Sequence, residues 1–134
     1  MTTITVAAAQ FSMTSERETN IAKAKAMVRQ AAGVSAKIVL LPELFETPYF
    51  CQEQSARHLA LASAFENNPL ILEFAALAKE LGVILPLSFF ERAGNVYFNS
   101  LAMIDDTGAV LGRYRKSHIP DGPGYQEKFY FRLS

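Results

Sequence analysis

The stretch VILPLSFFERAGNVYFNSLAMIDDTGAVLGRYR, residues 83–115, decides the fold of this chain. It contains apolar runs at 83–91, 96–104 and 109–115, separated by the turn signals Ala-Gly-Asn and Asp-Asp-Thr-Gly. Short apolar runs joined by such turns predict a meander of antiparallel strands. We also expect a bulge or an irregular ladder at Pro86, because proline has no N–H to donate to a neighbouring strand.

The residues before the meander predict a β-α-β start. Residues 3–10 are rich in β-branched and small residues and indicate a buried strand. Ser15 and Glu18 match a capping box at the start of a helix, and Gly33 ends that helix. Residues 37–43, KIVLLPE, form a continuous apolar run, which is typical of a strand covered on both faces.

A second helix is predicted just before the meander. Asn68 is a favoured N-cap, Pro69 suits the first helical turn, and Gly82 ends the helix. A short helical stretch is expected at 55–65. The order of elements predicts one domain over residues 1–134, of α+β (α/β layered) class, with a mixed sheet and helices against one face.

The second face of this sheet is expected to need a cover. In the strand 96–104, both sets of alternating side chains are largely apolar. Two helices are too few to cover both faces, so we expect another sheet or another chain on the second one.

Composition excludes several classes of partner. Thirteen basic residues balance thirteen acidic ones, and no basic stripe favours nucleic acid or an anionic membrane. The single cysteine, Cys51, excludes an internal disulfide and fits a reducing compartment. With no signal-peptide pattern and no apolar run of membrane-spanning length, we expect a cytoplasmic protein. No phosphate loop, paired Cys/His spacing or serine elbow is present, so we expect no cofactor and no metal.

Two charged residues follow predicted strands. Glu43 lies at the carboxyl end of an apolar strand, where sheets of this kind often place ligand chemistry, and its apolar neighbours suit a general base. Lys116 follows the last strand and could stabilise an oxyanion. The alternatives are a solvated loop glutamate and one of three basic residues, with Arg113 and Arg115, at a solvated strand end.

Three further residues in or near these segments carry potential chemistry. Glu127 lies among aromatic residues and needs a cationic or hydrogen-bonding partner, for which Lys116 is one candidate. Lys128 and Arg132 are the alternatives. His118 is a candidate base, and the alternative is a structural or solvent-exposed loop histidine. Cys51 could be a nucleophile, but a cysteine between Phe and Gln is more often a small packed residue.

The motifs around these residues resemble the nitrilase or carbon–nitrogen hydrolase superfamily. The matching segments are VAAAQF, IVLLPELFETPYFCQ and YFNSLAMIDDTGAVLGRYRKSHIPDGPGYQEKFYF. The words ELFETPYF and RKSHIPDGPGYQEKFYF resemble its N-carbamoylputrescine amidase family, whose members act in polyamine synthesis. The resemblance implies an α-β-β-α sandwich, homo-oligomers and a small carbamoylated amine as substrate.

The resemblance also implies roles for three residues. Glu43 matches the general base, Lys116 the lysine that stabilises the oxyanion, and Glu127 a second glutamate that orients the lysine and the substrate. The nucleophilic cysteine of the superfamily lies further downstream, and Cys51 does not match it. We therefore expect the first half of the sandwich, an incomplete domain that is inactive alone and that self-associates through its open sheet face. The alternatives are another amidase of the superfamily, similar to β-ureidopropionases, and a catalytically dead interaction module.

Overall fold

The computed structural model describes all 134 residues. Its strands are β1 (Val6–Ala8), β2 (Ile38–Leu40), β3 (Leu85–Ala93), β4 (Val96–Ile104) and β5 (Val110–Arg115). The two α-helices are α1 (Arg17–Gly33) and α2 (Pro69–Leu81), and short 3-10 helices occur at Phe50–Gln52, Ala56–Leu61 and Glu127–Phe129. The predicted order of strands and helices is confirmed. The prediction of a buried strand at 3–10 is wrong in part, because β1 is short and its Val6 and Ala8 are exposed. The stretch expected to be helical at 55–65 forms only one of the short 3-10 helices.

The strands form the predicted mixed arrangement. β1 and β2 pair in parallel, and β3, β4 and β5 form an antiparallel meander. A single parallel bridge between Ile38 and Ile84 joins the two groups: Val39 N–H donates to Ile84 O at 3.0 Å, and Ile84 N–H donates to Lys37 O at 2.8 Å. The β-α-β unit thus leads directly into the meander.

The prediction of a bulge at Pro86 is wrong. β3 pairs with β4 in unbroken register from Leu85 to Ala93, and the irregularity lies instead between Met103 and Ile104, where β4 meets β5. Pro86 acts on the other edge of β3. The next donor of the parallel ladder after Ile84 would be the N–H of residue 86, which proline lacks, so the ladder with β2 ends there.

The helix ends agree with the sequence for α2 and differ for α1. Asn68 caps α2 by accepting from Leu70 N–H at 3.0 Å and Ile71 N–H at 3.3 Å, and Gly82 ends it with a φ of 65°. The Ser15 capping box is wrong, because α1 begins after Glu16 and has no side-chain cap.

The main core lies on one face of the sheet. Both helices and strands β2, β3 and β4 contribute to a cluster of 19 buried residues, with Phe45, Phe74 and Phe89 among its largest side chains. Burial of this apolar surface is the main source of stability. Neither helix has the length and apolar character needed to cross a membrane.

The second face is covered only in part. A smaller cluster of seven buried residues, including Phe50, Phe90 and Phe131, joins the loop after β2 and the carboxyl-terminal segment to this face. Elsewhere on the sheet Leu40 and Tyr114 are 48% and 59% exposed. The expected shortage of cover on the second face is therefore present, and the site described next lies at the boundary of the covered part.

Candidate functional site

Glu43, Lys116 and Glu127 meet in one place. The Nζ atom of Lys116 donates to Oε1 of Glu43 at 3.0 Å and to Oε1 of Glu127 at 3.0 Å. Glu43 and Glu127 lie 73 and 11 residues from the lysine along the chain. Lys116 is thus the partner of Glu127, and Lys128 and Arg132, the alternatives considered above, make no ion pair with it.

The lysine is held by the meander. Lys116 directly follows β5, and its N–H donates to the carbonyl oxygen of Asn99 in β4 at 2.8 Å. Side chains alternate between the two faces of a strand, so Lys116 lies on the opposite face from Arg115. The Asn99 side chain also lies on the site face, where its amide donates a hydrogen bond to Oε1 of Glu43.

A bend in the backbone presents Glu43. The next residue, Leu44, has a φ of 53°, in the left-handed region that residues other than glycine seldom adopt. Leu44 N–H donates to the Ser88 hydroxyl at 2.8 Å, which ties the bend to β3. The Leu44 side chain is buried in the smaller cluster, which also helps to hold the bend. The chain therefore turns away from the sheet just after the carboxylate.

Glu127 is buried and its two oxygens have separate partners. It is 4% exposed, with Oε1 facing Lys116 and Oε2 accepting from the Tyr49 hydroxyl at 2.7 Å. The segment that carries it is docked on the loop after β2, because Gln126 N–H donates to Cys51 O at 2.7 Å. A buried carboxylate is stable here because each oxygen receives a donor.

The three charges modify one another. Burial lowers the pKa of Lys116, but hydrogen bonds to Glu127 and Glu43 outweigh burial, so the pKa lies above its usual range. Burial, together with the Glu127 carboxylate, raises the pKa of Tyr49, which keeps its phenol a hydrogen-bond donor. The lysine stays charged at neutral pH and can stabilise a developing oxyanion, while Glu43 is exposed enough to exchange protons with a ligand.

Cys51 lies near this site but is unsuited to nucleophilic attack. Its side chain is fully buried in the cluster around Phe50 and Phe90. Burial and the nearby negative charge of Glu127 raise its pKa to about 12. A thiol in that environment is almost entirely protonated at neutral pH, so Cys51 is the packed residue that its sequence neighbours indicate.

One further candidate lies outside the site, and two residues that the sequence analysis missed lie within it. His118 is exposed and makes no side-chain hydrogen bond, so it does not join the cluster. Asn99 and Tyr49 do join it, although the sequence did not single them out. Asn99 is a polar residue on an otherwise apolar strand face, which was the available signal, whereas Tyr49 looks like any aromatic residue of its loop.

An open cleft of about 270 Å³ lies beside Glu43 and Lys116. Its other walls include the second-face side chains Leu40, Leu101 and Tyr114. No cluster of three or more His, Cys, Asp or Glu side chains in the structure has the arrangement of a metal site. The cleft combines an apolar wall with a cation and a carboxylate, a lining suited to a small polar ligand with an apolar stem.

Comparison with known proteins identifies a matching family. The family model described as carbon-nitrogen hydrolase matches residues 5–133. An N-carbamoylputrescine amidase from Solanum tuberosum is 54% identical over 96% of this chain and 43% of its own length. A citrullinase from Francisella tularensis subsp. tularensis is 46% identical over 98% of this chain and 46% of its own length.

The same likeness holds in three dimensions. A crystal structure of a carbon-nitrogen hydrolase from Helicobacter pylori G27 superposes with a TM-score of 0.89 and 35% identity. The match covers 98% of this chain and 45% of the other. The chain therefore spans less than half the length of these relatives, and it matches them over nearly all of its own length.

Proposed function

This chain belongs to the carbon-nitrogen hydrolase family, and on that premise we propose that it forms part of an enzyme that hydrolyses N-carbamoylputrescine. The products are putrescine, carbon dioxide and ammonia, in polyamine synthesis. The observation that carries the proposal is the convergence of Lys116 on the Glu43 and Glu127 carboxylates, each at 3.0 Å, at the positions expected from the resemblance.

The proposed reaction needs a thiol, which attacks the carbamoyl carbon. Glu43 takes the thiol proton, Lys116 stabilises the oxyanion of the tetrahedral intermediate, and ammonia leaves with a returned proton. Glu43 then removes a proton from water, which attacks the carbamoyl thioester and restores the thiol. The carbamic acid that is released breaks down into the amine and carbon dioxide, so one water is consumed in all.

We propose that the nucleophile is supplied by residues other than those of this chain. Cys51 is the one cysteine here, and its burial and a pKa raised to about 12 are those of a packed thiol. Glu127 has the third role. By accepting from Lys116 at 3.0 Å and from Tyr49 at 2.7 Å, it orients the ammonium toward the cleft without being free to act as a base itself.

A second substrate, citrulline, deserves a direct comparison because the citrullinase relative is 46% identical. Citrulline and N-carbamoylputrescine both carry a carbamoylated primary amine, so the same chemistry at the reacting carbon serves either. They differ at the far end, where citrulline carries a carboxylate and N-carbamoylputrescine carries only an amine. We favour N-carbamoylputrescine because the amidase relative is more similar, at 54% identity.

The second sheet face supports a further part of the proposal. Leu40 and Tyr114 are exposed beside the cleft, and such apolar surface is usually covered in the working protein. We propose that another sheet covers it in an oligomeric cytoplasmic assembly. Size-exclusion chromatography with light scattering tests this, and a monodisperse monomer of the 134-residue chain would count against it.

A chimeric enzyme tests the function. In it, this chain replaces the matching 43% of the Solanum tuberosum relative, which supplies the remaining residues. We expect ammonia release from N-carbamoylputrescine, faster than from citrulline, and no release by the 134-residue chain alone. A folded chimera that is inactive on both substrates would contradict the proposal, as would turnover by the chain alone that is lost on Cys51→Ser.

A further inference from the structure

Asn99 contacts both members of the base–lysine pair. Its side-chain amide donates to Oε1 of Glu43, and its carbonyl oxygen accepts from the N–H of Lys116 at 2.8 Å. The residue is 5% exposed and lies in the middle of β4, paired on one side with Phe90 of β3. Asn99 is thus a fixed residue of the sheet that can hold both Glu43 and Lys116 in position.

The orientation of the Asn99 amide follows from charge. An amide presents an oxygen acceptor on one side and an NH₂ donor on the other. A carboxylate accepts hydrogen bonds only, so the amide oxygen would be repelled by Glu43 and the NH₂ must face it. The same oxygen of Glu43 also accepts from Lys116 at 3.0 Å, while Oε2 has no hydrogen-bond partner in the chain.

We propose that Asn99 is a positioning residue that fixes the Glu43 carboxylate through Oε1, so that Oε2 is the atom that takes and returns the proton. The proposal rests on the proposed function and adds to it the identity of the reacting oxygen. Asn99 itself exchanges no proton and does not touch the reacting carbon.

Glu43 needs such an anchor because little else restrains it. Its side chain is 52% exposed and has three rotatable bonds, so it would otherwise move among several rotamers. Lys116 alone fixes the direction of the contact less well, because an ammonium is a compact charge with three donors that rotate. A strand residue that is nine-tenths buried supplies the fixed direction that the ammonium lacks.

The contact also suits a group that changes its protonation state. When Glu43 is ionised, Oε1 accepts from the amide as one oxygen of a carboxylate. When Oε2 has taken a proton, Oε1 is the carbonyl oxygen of a carboxylic acid and still accepts. The hydrogen bond from Asn99 therefore persists through the proton transfer, and the side chain stays in place for both halves of the reaction.

The geometry is tested by NMR on the 134-residue chain, without turnover. The side-chain amide protons of Asn99 should resonate downfield of those of Asn95, which is exposed in the β3–β4 turn. Glu43→Ala should move the Asn99 amide protons upfield and leave those of Asn95 in place. Asn99 amide protons that do not respond to Glu43→Ala would overturn the proposal, whether or not the proposed function is correct.

Kinetics in the chimera test the role. Asn99→Leu keeps the size of the side chain and removes the donor, and misplacing the base should lower kcat on the order of 10²-fold. KM should change less than about threefold because substrate binding is not the step affected. Asn95→Leu is the matched control and should retain the parent kcat.

The pattern of losses separates positioning from stability. Asn99→Ser, which replaces the amide by a smaller polar group, should give the same loss of kcat. It takes the place of Asn99→Leu in the test if Asn99→Leu unfolds. A kcat within about threefold of the parent enzyme in a folded Asn99 variant would overturn the proposal. An equal loss in Asn95→Leu would do so too, because it would show a general effect of substitutions in β4 and its turn.

Discussion

Arg115 and Lys116 are neighbours in sequence but serve opposite faces of the sheet. The Arg115 Nε atom donates to Oε1 of Glu91 at 2.9 Å on the helix-covered face, while Lys116 bonds Glu43 and Glu127 on the other. The strand end that carries the lysine is therefore also fixed on the opposite face of the sheet, by the ion pair between Arg115 and the buried Glu91. The ion pair of Arg115, which stabilises the fold, and the hydrogen bonds of Lys116, which shape the site, therefore come from adjacent residues.

Glu91→Gln should destabilise the chain. Glu91 is 1% exposed and accepts hydrogen bonds from Arg113, Arg115 and Ser100. Glutamine removes the charge that compensates both arginines, and the expected loss in the free energy of unfolding is roughly 2 kcal/mol. Urea unfolding followed by circular dichroism measures it.

Glu80→Gln is the matched control for that measurement. Glu80 forms an ion pair with Arg29 between the two helices, but both side chains are more than half exposed. Water and salt screen such pairs, so no measurable loss of stability is expected. If the two variants lost equal stability, the role assigned to the buried cluster would be wrong.

The stability of the chain should fall in acid partly because of Glu91. Burial raises the pKa of this carboxyl, but hydrogen bonds from Arg115 and Ser100 and the arginine charges outweigh burial and hold it below its ordinary 4.5. The unfolded chain therefore takes up the proton first as the pH falls. The stabilisation is present above about pH 4.5 and is lost as the pH falls through the lower, folded pKa.

Comparison of two pH profiles isolates this contribution. The stability difference between the parent chain and Glu91→Gln should be largest near neutral pH and should shrink below about pH 4.5. Exposed carboxyls with lowered pKa values contribute to both profiles and cancel in the difference: Glu53, Glu80 and Asp105. If the stability difference between the two chains does not depend on pH, the charge of Glu91 is not what stabilises the folded chain.

Tyr49→Phe should also destabilise the chain. It removes only the hydroxyl that donates to Oε2 of Glu127 at 2.7 Å, and so leaves a buried carboxylate oxygen without a partner. The expected cost is about 1–3 kcal/mol. Tyr114→Phe removes an exposed hydroxyl that faces Ser117 and should cost much less. Equal costs in thermal unfolding would contradict the contact to Glu127.

Cys51 should resist alkylation in the folded chain. With a pKa of about 12, about one thiol in ten thousand is ionised at pH 8, and the side chain is fully buried as well. Mass spectrometry after iodoacetamide treatment should find labelling at least about 100-fold slower in buffer than in urea. Rapid labelling in buffer would mean that the thiol is reactive after all.

Local chemical rules were enough to predict most of the fold. The turns at 93–95 and 105–108 and the Asn68-Pro69 cap are encoded by neighbouring residues, and the meander strands β3 to β5 and α2 follow from them. The Pro86 bulge and the Ser15 capping box were wrong for tertiary reasons. Pro86 lies where the ladder between β2 and β3 ends, so no bulge is needed there. The residues before α1 are held by a hydrogen bond between Thr14 and Asn20 instead of a capping box.

The site was predictable only as far as the family resemblance extends. It pointed to Glu43, Lys116 and Glu127, whereas residue types alone left a solvated alternative for each. Asn99 and Tyr49 could not be assigned from the sequence, because their partners lie 56 and 78 residues away. Such contacts depend on how the meander and the carboxyl-terminal segment meet, which no local pattern specifies.

The kcat of Glu43→Gln in the chimera with the Solanum tuberosum relative shows whether Glu43 is the general base. The variant keeps the size of the base and removes its ability to take a proton, so kcat on N-carbamoylputrescine should fall at least about 10³-fold. Glu18→Gln, at a side chain that is 83% exposed, is the control and should retain the parent kcat. A folded Glu43→Gln enzyme with kcat within tenfold of the parent, on the order of 1 kcal/mol in barrier height, would contradict the account.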